Sequence, residues 1–290
     1  MDSIRPSLIY ADRISAEFPE TNPDDPRWRL RVLAEGDSWF SIGGTGNGNL
    51  LEEMRFRVPA IVVNCGAPGD TIRNISDLAG NPTLTRLLRP KTGFAWDAIF
   101  VSGGGNDLID AADLFIRDGV ATEDDAPIGE YIDETLLQAH LDRIAAGLRT
   151  IAGLRDEAKP SPHTRAKPLI FCHTYDFAEP RDSPARFLFT AQGPWLHRAM
   201  ERSAVPPGRR RELADHLLRR LKTALTSLRH GAAAIEGFVV VDTQGRLNRA
   251  SPGDTGHSGQ WENEIHPTRD GYRALARQIA SSIDDAFDAG

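Results

Sequence analysis

The apolar residues of this chain fall into short unbroken runs, and between those runs they recur at helical spacing. The β-branched runs occupy 31–35, 60–64, 98–102, 169–173 and 238–242. Continuous rather than alternating apolar strands are what a parallel sheet needs when both of its faces are covered. Leu137, Leu141, Ile144, Leu148 and Ile151 form one helical stripe; Leu213, Leu217, Leu221, Leu225 and Leu228 form a second; Tyr272, Leu275, Ile279 and Ile283 form a third. Strands alternating with such helices predict an α/β fold: a doubly wound parallel sheet of about five strands with helices on both faces. In that architecture the ligand crevice lies beyond the carboxyl ends of the strands.

Two stretches exceed an ordinary connection. Residues 107–130 are rich in acidic side chains and are expected to form a solvated loop. Residues 177–211 set Phe177, Phe187, Phe189, Trp195 and Met200 among prolines and glycines. They are expected to form an insertion that walls or covers a pocket within a single domain spanning 1–290, with a small satellite core as the alternative.

Chemistry-bearing residues cluster at the strand ends. The first run delivers Gly36-Asp37-Ser38-Trp39; Val62-Val63-Asn64 leads to Gly69-Asp70-Thr71; Ile99-Phe100-Val101 leads to Gly104-Gly105-Asn106-Asp107; and Ile265-His266-Pro267 stands shortly before the third helical stripe. A serine hydroxyl is a poor nucleophile at neutral pH and needs a base within reach. His266 suits that task. Pro267 keeps it extended, and Thr268 is a suitable N-cap for the helix that follows.

Taken in this order, the segments resemble the SGNH (GDSL-type) hydrolases, through Ser38, Gly69, Asn106 and His266. The resemblance runs from about residue 30 to 280. It implies a flavodoxin-like sheet and hydrolysis of an ester or related acyl group through an acyl-enzyme. Ser38 is then the nucleophile and His266 the proton carrier, and the Ser38 and Gly69 N–H groups with the Asn106 amide form the oxyanion hole. Trp39, Phe177 and Trp195 are the candidate substrate contacts. No metal or organic cofactor is implied, and the partner is a small ester or acyl compound. A thioesterase of the same fold and a catalytically weakened binding module are the alternatives.

The chain departs from the family at one position. An aspartate is usual three residues before the histidine, and Asn263 stands there, flanked by Glu262 and Glu264. The support of His266 is therefore assigned to Asn263, with either glutamate or an unsupported Ser38–His266 pair as the alternatives. Asp37 and Asp107 read as braces that tie down backbone N–H groups.

Composition narrows the remaining classes. With 34 Lys+Arg against 41 Asp+Glu, the net charge of -7 disfavours nucleic acid or an anionic membrane surface as partner. No window approaches the roughly 18 apolar residues of a membrane helix, and the first twenty residues lack a signal-type apolar core, which together predict a cytoplasmic protein. Cys65 and Cys172 read as reduced residues near buried strands. The glycine-rich run 43–48 lacks the Lys-Ser/Thr ending of a phosphate loop and reads as a rim loop.

Overall fold

The computed structural model describes residues 3–42, 48–120, 126–187 and 190–288. Most of the glycine-rich run 43–48, part of the acidic stretch 107–130, the Phe187 side chain and Phe189 lie outside the described residues.

The strands are β1 (Ser7–Tyr10), β2 (Leu30–Gly36), β3 (Ala60–Asn64), β4 (Ala98–Ser102), β5 (Leu169–His173), β6 (Ala185–Phe187), β7 (Thr190–Gln192) and β8 (Phe238–Val241). Six of them form one sheet in the order β1-β3-β2-β4-β5-β8, every neighbouring pair parallel, and β6 and β7 form a separate antiparallel hairpin. The sheet therefore has one strand more than the five predicted. β1 escapes a hydrophobicity reading because it is four residues long at the sheet edge, with only Ile9 buried and Tyr10 half exposed.

All residues of β2, β3 and β4 are buried. Successive side chains point to opposite faces, so this burial requires cover on both. Helices Glu134–Asp156 and Pro207–Ser227 pack on one another, and helix Arg269–Asp288 packs against helix Leu50–Glu53 and β8. The three predicted stripes are the buried faces of the three long helices.

The acidic stretch differs from expectation. Helices Gly105–Asp110 and Ala112–Phe115 follow β4 directly, and Leu108, Ala112, Phe115 and Ile116 join the core. Asp110, Asp113, Asp118 and Glu130 are exposed on the outer side of this packed segment, which composition alone reads as a loop. Both cysteines are free thiols, Cys172 buried in β5 and Cys65 partly buried just after β3. Among the described residues, no helix is long and apolar enough to cross a membrane.

From β2 the chain moves to β3 on one side and then to β4 on the other. The strand order reverses there, so a crevice opens beyond the carboxyl ends of β2 and β4. Ser38 follows β2 and Asn106 follows β4.

Candidate active site

The end of β2 is held tightly against β4. Gly36 pairs in register with Ser102, and a Cβ on Gly36 would lie 2.7 Å from the Ser102 carbonyl oxygen, so only glycine permits this approach. Asp37 is extended and caps the short helix Ser38–Ser41, its Oδ1 accepting the Trp39 N–H at 3.0 Å. Ser38 thus stands at the first helical position, nearly buried, with Oγ 2.8 Å from His266 Nε2.

The other side of the imidazole settles its tautomer. His266 Nδ1 is 3.0 Å from Asn263 Oδ1, and the same oxygen accepts the backbone N–H groups of Ile265 at 3.1 Å and His266 at 3.0 Å. Two N–H donors require oxygen rather than nitrogen at that position, which orients the amide. An acceptor facing Nδ1 places the proton there, so Nε2 presents its lone pair to the Ser38 hydroxyl. Burial pushes the His266 pKa down to about 4, which keeps the ring neutral at ordinary pH. Neither glutamate is seen to take this position. Glu264 is fully buried, its carboxylate accepting the Trp195 N–H and, at 2.7 Å, the His197 N–H at the start of helix Leu196–Arg202. The Glu262 backbone N–H donates to the His266 carbonyl at 2.8 Å.

Gly69 has φ +80°, in the left-handed region, with open space where a Cβ would stand. The Asn106 amide donates to the carbonyl of Asp70 at 2.9 Å, which joins the turn after β3 to the helix after β4 and leaves one amide hydrogen free of that bond. Asp107 Oδ2 accepts the Ile72 N–H at 2.8 Å, and Asp37 is likewise a backbone acceptor, as the sequence suggested for both.

Beneath Ser38 runs a buried polar chain that the sequence did not reveal. The Tyr175 hydroxyl donates to Asp37 Oδ2, and Ser102 Oγ lies 3.0 Å from Asp37 Oδ1 and 2.9 Å from His173 Nε2. Burial raises the Asp37 pKa to about 6 and lowers that of His173 to about 4. The available signal was positional: Ser102 and His173 end β4 and β5 on the same rim as Ser38. A second unforeseen element is Arg181, whose buried guanidinium donates to the carbonyls of Asn263 at 2.8 Å and Asp254 at 3.1 Å.

Trp39 stacks on His173 at a centroid distance of 5.2 Å, and its indole N–H donates to the Ile265 carbonyl at 3.2 Å. It therefore fastens the Ser38 element to the His266 loop. Two cavities flank the Ser38–His266 pair. The smaller, about 40 Å³, is lined by Ser38, Trp39 and Asn106 among apolar side chains; the larger, about 230 Å³, is lined by Asn263, His266 and polar residues. The stretch 177–211 contributes Ala178 and Leu196 to the first and Asp182 to Arg186 to the second. Trp195 stands edge-on to His266 with centroids 6.1 Å apart. Phe177 lines neither cavity and lies under the Arg219 guanidinium, 5.1 Å from the ring centroid.

The sequence profile of the family described as GDSL-like Lipase/Acylhydrolase matches residues 32–279. A search of curated protein sequences returns no relative. Among solved structures, the lipase Lip_vut3 from a goat rumen metagenome is similar at 14% identity and TM-score 0.51, over 87% of this chain and 97% of its own. The acetylxylan esterase Axe2 of Geobacillus stearothermophilus aligns at 17% identity and TM-score 0.45, over 88% of this chain and 94% of its own. An extracellular lipase of Streptomyces rimosus aligns at 14% and 0.46, over 88% and 99%. The likeness to the rumen lipase concerns the fold.

Proposed function

The chain belongs to the GDSL-like lipase/acylhydrolase family, and from that premise we propose that it cleaves carboxylic esters through an acyl-enzyme formed on Ser38. The observation that carries this reading is the chain of hydrogen bonds from Asn263 through His266 to Ser38, in which the amide orientation dictates the useful tautomer. Ser38 Oγ attacks the acyl carbon while its proton passes to His266 Nε2. The carbonyl becomes an oxyanion, for which the Ser38 and Gly69 N–H groups and the free Asn106 amide hydrogen are the assigned donors. As the bond from carbon to the alcohol oxygen breaks, His266 returns the proton to the departing alkoxide. A water molecule then attacks the acyl-enzyme, gives its proton to His266, and releases the acid as Ser38 is reprotonated.

Asn263 takes the place of a carboxylate in this scheme. It orients the imidazole as a carboxylate does but supplies no full negative charge when the imidazolium forms. Labelling with a fluorophosphonate probe tests the assignment. The native protein should label and Ser38→Ala should not, and the variant should lose roughly 10,000-fold or more in kcat on nitrophenyl acetate. An unlabelled native protein without esterase activity would turn the reading toward a binding module on the same fold.

A further inference from the structure

We infer that this site takes esters joining a very short acyl group, of acetyl to propionyl size, to a neutral polyhydroxylated alcohol. The inference rests on the ester hydrolase reading and assigns each cavity to one half of the substrate.

The direction of proton transfer fixes which half goes where. His266 Nε2 must deliver its proton to the departing oxygen, so the alcohol lies against His266, while the acyl carbon must meet Ser38 Oγ with its oxygen toward Asn106. His266 lines only the larger of the two cavities, and Ser38 and Asn106 line only the smaller. The acyl group therefore belongs to the small cavity and the alcohol to the large one.

The acyl side is small and unyielding. An apolar cavity of about 150 Å³ admits a six-carbon ring. On that scale, a space of about 40 Å³ seats about two heavy atoms beyond the carbonyl carbon at its mouth. Leu196 and Trp261 are 1% exposed and Leu218 5% exposed. These walls belong to the packed core, and moving them to admit a longer chain would disrupt close packing. Ile109, on the helix that begins beside Asn106, is the partly buried member of the wall.

The alcohol side has the opposite character. About 230 Å³ is room for a sugar-sized ring, and Asp182, Arg186, Thr255 and Glu262 line it. Asp182, Glu262 and Arg186 put two carboxylates and a guanidinium on this wall, able to hydrogen-bond hydroxyl groups. Two carboxylates against one cation oppose a phosphate-bearing leaving group such as coenzyme A.

The test is a kcat/KM panel on the native protein: nitrophenyl acetate, butyrate and octanoate for the acyl side, then 6-O-acetylglucose, whose other hydroxyls are free, and acetyl-CoA for the leaving group. Acetate should exceed octanoate by at least roughly 100-fold, and acetylated glucose should exceed acetyl-CoA by at least roughly 10-fold. Ile109→Ala should raise butyrate relative to acetate by roughly 10-fold, and Arg186→Ala should lower acetylated glucose relative to nitrophenyl acetate. Octanoate hydrolysed as fast as acetate overturns the acyl assignment, and a preference for acetyl-CoA overturns the alcohol assignment. Failure to hydrolyse every ester, together with no fluorophosphonate labelling, overturns the hydrolase reading and this inference with it. Labelling with a reversed chain-length order overturns this inference alone.

Discussion

An asparagine can orient a catalytic imidazole but stabilises its cation only weakly, and that difference sets the measurable behaviour of His266. Asn263 Oδ1 already accepts two backbone N–H groups and the Nδ1 proton, an environment equally suited to a carboxylate. Asn263→Asp should therefore keep the geometry, raise the His266 pKa from about 4 toward the ordinary histidine value, and increase kcat by roughly 10-fold or more. Asn263→Ala should lower kcat by roughly 100 to 10,000-fold, because nothing then selects the tautomer. Unchanged turnover in the alanine variant would instead make Ser38 and His266 a sufficient pair. The pH profile carries the same argument with its sign. His266 acts as a base only when unprotonated, and its protonated fraction grows only as pH falls toward about 4. Native kcat/KM should thus hold to about pH 5, and in Asn263→Asp the acidic limb should move upward. Activity titrating near 6.5 in the native protein would place His266 in a wetter setting than the structure gives it.

At the scale of elements, the segment 181–197 grips the His266 loop. Glu264 reaches from that loop to the start of helix Leu196–Arg202, the Glu264 N–H donates to Ser183 at 2.9 Å, and Arg181 holds Asn263 from behind. Glu264→Ala should leave the Trp195 and His197 N–H groups buried without an acceptor, at about 2 to 4 kcal/mol of stability. Urea unfolding measures that loss. If the grip positions His266, kcat at a temperature well below unfolding should also fall; a stability loss with kcat intact would confine Glu264 to folding. This grip was illegible in the sequence because its partners are distant in the chain. Glu264 looked like a spare acid beside His266, and only the fold assigns it to a helix start. The central strands and long helices were readable because continuous apolar runs and Leu stripes have no alternative burial. β1 and the segment after Asn106 were not, since a half-exposed edge strand and helices with an acidic outer face both imitate loops. Ser38, Asn106 and His266 were legible through their places at strand ends and before a helix, whereas Tyr175, Ser102 and His173 lie in a network that only the parallel register assembles.

For the whole molecule, the buried carboxylates set how stability responds to pH. Burial raises Glu35 to about 8, Glu264 to about 7, and Asp37 and Asp284 to about 6, all above their values in an unfolded chain. His173 and His266 are shifted the other way, to about 4. Below about pH 6.5 the two sets oppose one another: the folded carboxylates retain protons, while the unfolded histidines take them up. Above 6.5 the unfolded chain has ionised carboxylates, and its two histidines, half protonated at 6.5, lose their remaining protons as pH rises. The folded chain still holds the proton of Glu35, and up to about 7 that of Glu264. The folded state then binds more protons, so stability must fall as pH rises from 6.5 to 8. One proton retained across that interval corresponds to about 2 kcal/mol. Tm measured in buffers of constant ionic strength should decline steadily over this range. Glu35 is 1% exposed at the end of β2, with Oε1 accepting the Gly36 N–H at 3.0 Å and Oε2 accepting from the Asn81 amide at 3.1 Å. Glu35→Gln removes its titration, so whatever the variant's absolute Tm, its slope between pH 7 and 8 should largely vanish. A native Tm that rises with pH over this window, or a Glu35→Gln slope equal to the native one, would show that Glu35 is already ionised in the folded protein.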